Sequence, residues 1–257
     1  MTGAPLLAAR DLTVTIAGLR VCRGLELAVA PGESWAILGR NGAGKTTLLH
    51  TLAGLRAPAA GTIELEGRAL AALPARDLAR LRGVLAQDDN DAFPATVLET
   101  VLIGRHPYLS RWQWESADDL RIAREALASA DMTGTDARDV RTLSGGERRR
   151  VALAALLAQQ PRLFLLDEPS SHLDLAHQLA LLDRLVSAVR AEGKALLMVV
   201  HDVNLALRYC DRALLLADGE AVAGPAAELL TAERLSRLYR VPLRALAGPR
   251  GDVFAPE

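Results

Sequence analysis

The chain has 257 residues, half of them hydrophobic, with a formal net charge of −1 and two cysteines. That length and apolar content suit one large α/β domain, or a core carrying an inserted subdomain. The near-zero charge excludes a global field for holding nucleic acid or an acidic membrane surface. Cys22 and Cys210 lie far apart without metal-ligand spacing, so they read as buried small hydrophobes in a reducing setting.

The first residues, Met1-Thr2-Gly3-Ala4-Pro5, lack the charged and apolar regions of a secretion signal. Residues 6–16 and 20–29 alternate apolar and polar side chains, which predicts an antiparallel strand pair. Pro31-Gly32 predicts a turn into an apolar strand, 34–38. After it comes Gly39-Arg40-Asn41-Gly42-Ala43-Gly44-Lys45-Thr46-Thr47, and then a helix-like segment, 48–53. Strand, glycine-rich loop and helix with the spacing G-x-x-x-x-G-K-[ST] form a phosphate cradle: bare amides curl around phosphate oxygens and the helix N-terminus adds its positive end. Lys45 can reach terminal phosphates, and the Thr46 hydroxyl suits a magnesium ion. The motif implies a bound nucleoside triphosphate.

Further strands are predicted at 61–66 and 83–86, around a helix at 74–81. The second of these strands stops at Gln87-Asp88-Asp89-Asn90-Asp91. From about 94 to 160 the period becomes helical, with helices predicted at 97–103, 116–130 and 146–159. The alternating pattern then returns: strand 163–166, helix 175–192, strand 195–200, helix 203–209 and strand 213–217. Asp218-Gly219 predicts a hairpin into 221–223. The expected class is α/β: one domain, 1–257, whose nucleotide-binding core carries an antiparallel β subdomain and an inserted α-helical subdomain at about 94–160. Residues 247–257 read only as a polar, glycine- and proline-containing tail. No apolar run approaches the ~20 residues needed to cross a bilayer.

Two further segments carry chemistry. In Leu163-Phe164-Leu165-Leu166-Asp167-Glu168-Pro169, Asp167 emerges at the C-terminal end of a buried strand, where open α/β sheets place their ligands. Asp167 suits Mg²⁺, and Glu168 is the candidate base that directs water at a γ-phosphate. Leu143-Ser144-Gly145-Gly146-Glu147 puts a hydroxyl and bare amides at a helix start, a second anion cradle. Ser144 and Glu147 equally fit a capping box. One site does not need two such cradles unless the second serves a neighbouring molecule. The run Arg148-Arg149-Arg150 is expected to be a solvated face, because no basic stripe accompanies it and nucleic acid is not an expected partner.

Over nearly its whole length the chain resembles the nucleotide-binding subunit of an ABC transporter, with a P-loop NTPase core. Residues 39–46 resemble that family's Walker A loop, 143–147 its signature motif and 165–168 its Walker B motif with the catalytic glutamate. Ser171-His172-Leu173-Asp174 resembles its D-loop, Gln87 its Q-loop glutamine and His201 its switch histidine. The resemblance implies a head-to-tail homodimer in which ATP on one subunit's phosphate loop is covered by Ser144, Gly145, Gly146 and Glu147 of the other. It implies that Gln87 senses Mg²⁺ and nucleotide and that His201 meets the γ-phosphate. It also implies permease subunits on separate chains that span the membrane, with the ATPase peripheral on the cytoplasmic face of the inner (plasma) membrane. A periplasmic or extracellular binding protein would be an indirect partner.

Residues 97–109, 173–178 and 201–211 resemble importer ATPases serving iron-siderophore, haem and cobalamin systems. Many family members stack an aromatic on adenine, whereas here the matching position is Ile16 and no aromatic precedes Trp35. Loose discrimination of ATP from GTP is therefore expected. Phe93, Tyr108, Trp112 and Trp114 cluster in a chain only 4% aromatic, so residues 88–114 are expected to line the groove for a permease coupling helix, with local packing as the competing reading. A soluble ABC-type ATPase not coupled to transport is the alternative. A phosphate-loop kinase or GTP switch would leave Ser144-Gly145-Gly146 without a purpose.

Overall fold

The computed structural model describes residues 4–87, 94–171, 173–248 and 251–257. The expectations that fall on Asp88, Asp89, Asn90, Asp91, Phe93 and His172 lie outside the described residues. Contacts divide the chain into two compact units, 1–72 with 186–257, and 73–185.

The first unit begins with β1 (Leu7–Ile16) and β2 (Leu19–Val29), antiparallel as the alternation predicts, with Leu7 opposite Val29 and Ile16 opposite Leu19. Their inward residues, among them Leu7, Leu12, Val14 and Leu27, are buried. β3 (Ser34–Gly39) is buried at every residue and leads through the glycine-rich loop into α1 (Lys45–Leu52). β4 (Ala60–Leu65) pairs with β1, and β5 (Arg68–Ala69) folds back on β4, both antiparallel.

The second unit opens with α2 (Ala75–Leu81) and β6 (Arg82–Leu85). Next come α3 (Val97–Leu102), a 3₁₀ stretch at Ile103–Tyr108 and α4 (Ala117–Ser129). α5 (Gly145–Gln159) leads to β7 (Leu163–Asp167), which runs parallel to β6 with Leu85 opposite Leu166. α3, α4 and α5 share an apolar centre at Val97, Val101, Leu127, Val151 and Ala154. The same unit holds a buried ion pair: Arg105 Nε donates to Asp119 Oδ1 at 2.9 Å, and the Tyr108 ring stacks on the same guanidinium at 4.1 Å. α6 (Leu175–Glu192) carries the chain from the second unit back to the first.

There β8 (Ala195–Val199) is followed by α7 (Val203–Tyr209), β9 (Arg212–Ala217) and β10 (Glu220–Pro225). β3 lies between β8 and β9 and is parallel to both, which explains its continuous apolar run. β10 is antiparallel to β9 through the Asp218-Gly219 turn, where both residues have positive φ, as the hairpin signal predicts.

The C-terminal region departs from expectation. α8 (Ala226–Leu229) and α9 (Ala232–Tyr239) follow β10, and then β11 (Leu243–Gly248) pairs antiparallel with β12 (Gly251–Pro256). Most described residues of 247–257 are thus a strand, not an irregular tail. Phe254 buries its ring, and apolar burial together with a paired partner outweighs the poor strand propensity of glycine and proline here. Among the described residues no helix is long and apolar enough to cross a membrane.

Candidate functional site

In the first unit the phosphate loop grows from the end of β3. Gly39 stands opposite Leu216 of β9, and a Cβ there would meet the Leu216 carbonyl oxygen at 2.7 Å. Gly44, at the N-terminus of α1, has φ +91°, and a Cβ would meet the Val21 methyls at 2.6 and 2.7 Å. Neither position accepts a side chain, so the loop keeps its amides bare. Lys45 is buried, and its Nζ donates to the carbonyls of Gly39 at 2.9 Å and Arg40 at 3.2 Å. The ammonium is thereby held inside the curve of the loop. Arg40, Asn41 and Gly42 are exposed, and Thr46 and Thr47 are half-buried in the first turn of α1.

His201 is exposed and lies between β8 and α7. Asp202 caps α7 by accepting from the amides of Asn204 and Leu205. The Asn204 side chain then takes both backbone groups of Phe254, donating to its carbonyl at 3.1 Å and accepting from its amide at 2.8 Å.

In the second unit Asp167 ends β7. Its residue is 0% exposed, and neither carboxylate oxygen has a hydrogen-bond partner among the described residues. A buried carboxylate left in that state is costly, and a hard oxygen donor at a strand's C-terminal end fits Mg²⁺, directly or through its water shell. Glu168 follows with φ +48°, a left-handed conformation that residues bearing a Cβ rarely adopt. Its Oε2 accepts from the Ser171 hydroxyl at 3.1 Å. Gln87 is exposed, just beyond β6.

At the start of α5 the capping box is present. The Glu147 amide donates to Ser144 Oγ at 3.2 Å, and the Ser144 amide donates to Glu147 Oε2 at 2.8 Å. Arg138 Nη1 donates to the other Glu147 oxygen at 2.8 Å. The Ser144 amide, then Arg138 and the Ser144 hydroxyl, hold the Glu147 carboxyl down at about 2. Ser144 and Gly145 remain exposed.

The solvated-face expectation for Arg148-Arg149-Arg150 fails at its centre, because Arg149 is only 3% exposed. Successive helical residues point about 100° apart, so three in a row cannot share one face. Arg149 lies on the stripe of Leu153 and Leu156, four and seven residues on, and that period was the available signal. The aromatic cluster divides. Trp112 and Trp114 are 88% and 86% exposed, against local packing, whereas Tyr108 packs on Arg105 and donates its hydroxyl to the Gln159 carbonyl. A groove of about 790 Å³ is lined by residues that include Arg76, Thr100, Ile103, His106, Pro107 and Ala152.

A glycine-lined phosphate loop between a central parallel strand and a helix N-terminus defines a phosphate-loop nucleotide-binding protein. The family profile described as ABC transporter matches residues 22–171. The hemin import ATP-binding protein HmuV of Burkholderia mallei (strain ATCC 23344) is 44% identical over 269 residues, covering 98% of both chains. An ABC transporter assigned to the metal-chelate type, solved in an inward-facing conformation, superposes with TM-score 0.85 at 28% identity, again over 98% of both. A dimeric ATP-binding cassette in a post-hydrolysis state, bound to ADP and Pi, superposes with TM-score 0.75 at 26% identity over 86% of this chain and 98% of that one. The chain belongs to the ABC transporter family and is its ATP-binding, ATP-hydrolysing component.

Proposed function

We propose that this chain is the motor subunit of an importer that takes up a haem-type iron chelate. The observation that carries the cargo reading is the 44% identity to a hemin import ATPase over 98% of both chains. The chain acts as one ATPase domain, with residues from about 94 to 160 as its helical insertion.

In this reading Gly39, Arg40, Asn41, Gly42, Ala43, Gly44, Lys45, Thr46 and Thr47 cradle the triphosphate, with Lys45 countering its charge. Thr46, Asp167 and Gln87 hold Mg²⁺, which when bound neutralises charge on the β- and γ-phosphates. Glu168 accepts the proton of the attacking water, and His201 contacts the γ-phosphate. Ser144, Gly145, Gly146 and Glu147 close over ATP held by a second copy, and the exposed hydroxyl and amides of that turn suit the task. The capping box fixes the position of the Ser144 hydroxyl at the start of the helix, where its oxygen accepts from the Glu147 amide. Permease subunits dock in the groove beside Thr100, Ile103 and His106, and the exposed Trp112 and Trp114 extend that surface. The subunit is therefore peripheral, on the cytoplasmic face of the inner membrane.

Disrupting the gene in its host and comparing growth on hemin, a ferric siderophore or cobalamin as the limiting nutrient tests the cargo. Loss confined to hemin is the expected result. Unimpaired growth on hemin refutes the assignment.

A further inference from the structure

We propose that Arg149 is a positioning residue for ATP hydrolysis, fixing the backbone from which Glu168 projects. The proposal rests on the reading of Glu168 as the base. Its buried guanidinium donates from Nη2 to the carbonyls of Asp167 at 2.6 Å and Glu168 at 2.8 Å. Nε donates to the Pro169 carbonyl at 3.3 Å, and Nη1 to the Ala86 carbonyl at 2.5 Å. Three consecutive carbonyls thus converge on one cation. An extended chain alternates its carbonyl directions and cannot do this. The left-handed turn at Glu168, φ +48°, breaks that alternation.

Cause and effect can be read in both directions here. The strained conformation aims the carbonyls, and the guanidinium, with donors spread over a rigid fork, stabilises the strain. A lysine offers one nitrogen and cannot span the set. Ala86 immediately precedes Gln87, so the same side chain also ties down the segment that presents Gln87. Arg149 itself sits one turn inside α5, the helix that opens with Ser144. One cation therefore binds the backbone of the Glu168 segment and the Gln87 segment to the helix of the signature turn, all within the second unit. A shift of α5 moves the base with it.

The test uses the full chain as Arg149→Gln and Arg149→Lys, each alone and combined with Glu168→Gln. Turnover, KM for ATP and affinity for a fluorescent ATP analogue are measured, with thermal melts for folding. Loss of positioning predicts kcat down about tenfold to a hundredfold, with KM and nucleotide affinity within about twofold. Combined with Glu168→Gln, either change should add nothing, because both act on the same group. Wild-type kcat in Arg149→Gln, beside a collapsed Glu168→Gln, overturns the proposal and leaves the base assignment standing. Multiplicative losses in the double variant overturn it too, as does failure of both single variants to fold, which would make Arg149 structural only. Full turnover in Glu168→Gln removes the base assignment itself, a distinct result.

Discussion

Asp167→Asn separates the demands of folding from those of chemistry. This carboxylate is fully buried and has no hydrogen-bond partner among the described residues. A buried polar group without a partner costs about 1–3 kcal/mol, and more when charged. Asparagine keeps the shape and removes the charge, although its amide still lacks partners, so the relief is roughly 1–2 kcal/mol. For a chain of this size each kcal/mol moves the melting temperature by about 2–4 °C. The variant should therefore melt roughly 2–8 °C higher than the parent in EDTA without nucleotide. A non-hydrolysable ATP analogue with Mg²⁺, at a hundred times its Kd, should stabilise the parent by about 2.7 kcal/mol. In the variant, the increment from adding Mg²⁺ to the analogue should vanish, and so should turnover. Calorimetric melts of both chains in EDTA, with analogue and EDTA, and with analogue and Mg²⁺ settle the matter. A variant that melts lower in EDTA would show that the carboxylate is already satisfied. An equal Mg²⁺ increment in both chains would remove Asp167 from the metal site.

Asp119→Ala should destabilise by about 3–5 kcal/mol, because it leaves the buried Arg105 guanidinium without its counter-charge; a loss under 1 kcal/mol in denaturant titration would refute this. The Ser116 hydroxyl and then Arg105 hold the Asp119 carboxyl at about 2. Its folded value is depressed, so its stabilisation is complete above the unfolded value of about 3.9 and is lost as pH falls toward 2. The gap between parent and variant should narrow over that window. Ile16, 39% exposed at the end of β1, offers a place to test base selection. Ile16→Tyr should improve ATP over GTP by about 0.5–1.5 kcal/mol through stacking, read as a ratio of Kd values, and equal changes for both nucleotides would count against that role.

The phosphate loop was legible because its logic is local: a contiguous spacing, with β3 before it and α1 after it. The alternation of β1 with β2, the helices α3 to α5 and the Asp218-Gly219 hairpin were readable for the same reason. β11 with β12 was not, since most of the side chains of β11 are exposed and leave no apolar period to detect. α9 carries a Thr231 cap and buried Leu235 and Leu238, a start signal and an apolar spacing that are local to the sequence. Arg149 was misplaced because three adjacent arginines suggest a surface, whereas only burial shows which of them turns inward. The isolation of the Asp167 carboxylate and the left-handed turn at Glu168 depend on residues distant in sequence, so no local pattern announces them.

The amide of Asn204 has a consequence for solubility. Both backbone groups of Phe254 point away from β11, since both are bonded to Asn204. They mark the open edge of a two-stranded ribbon, where another chain could otherwise add itself as a third strand. One side chain from α7 occupies that position and closes the edge where its most apolar residue sits. Asn204 thus fills the hydrogen-bonding positions that a third strand would need at Phe254.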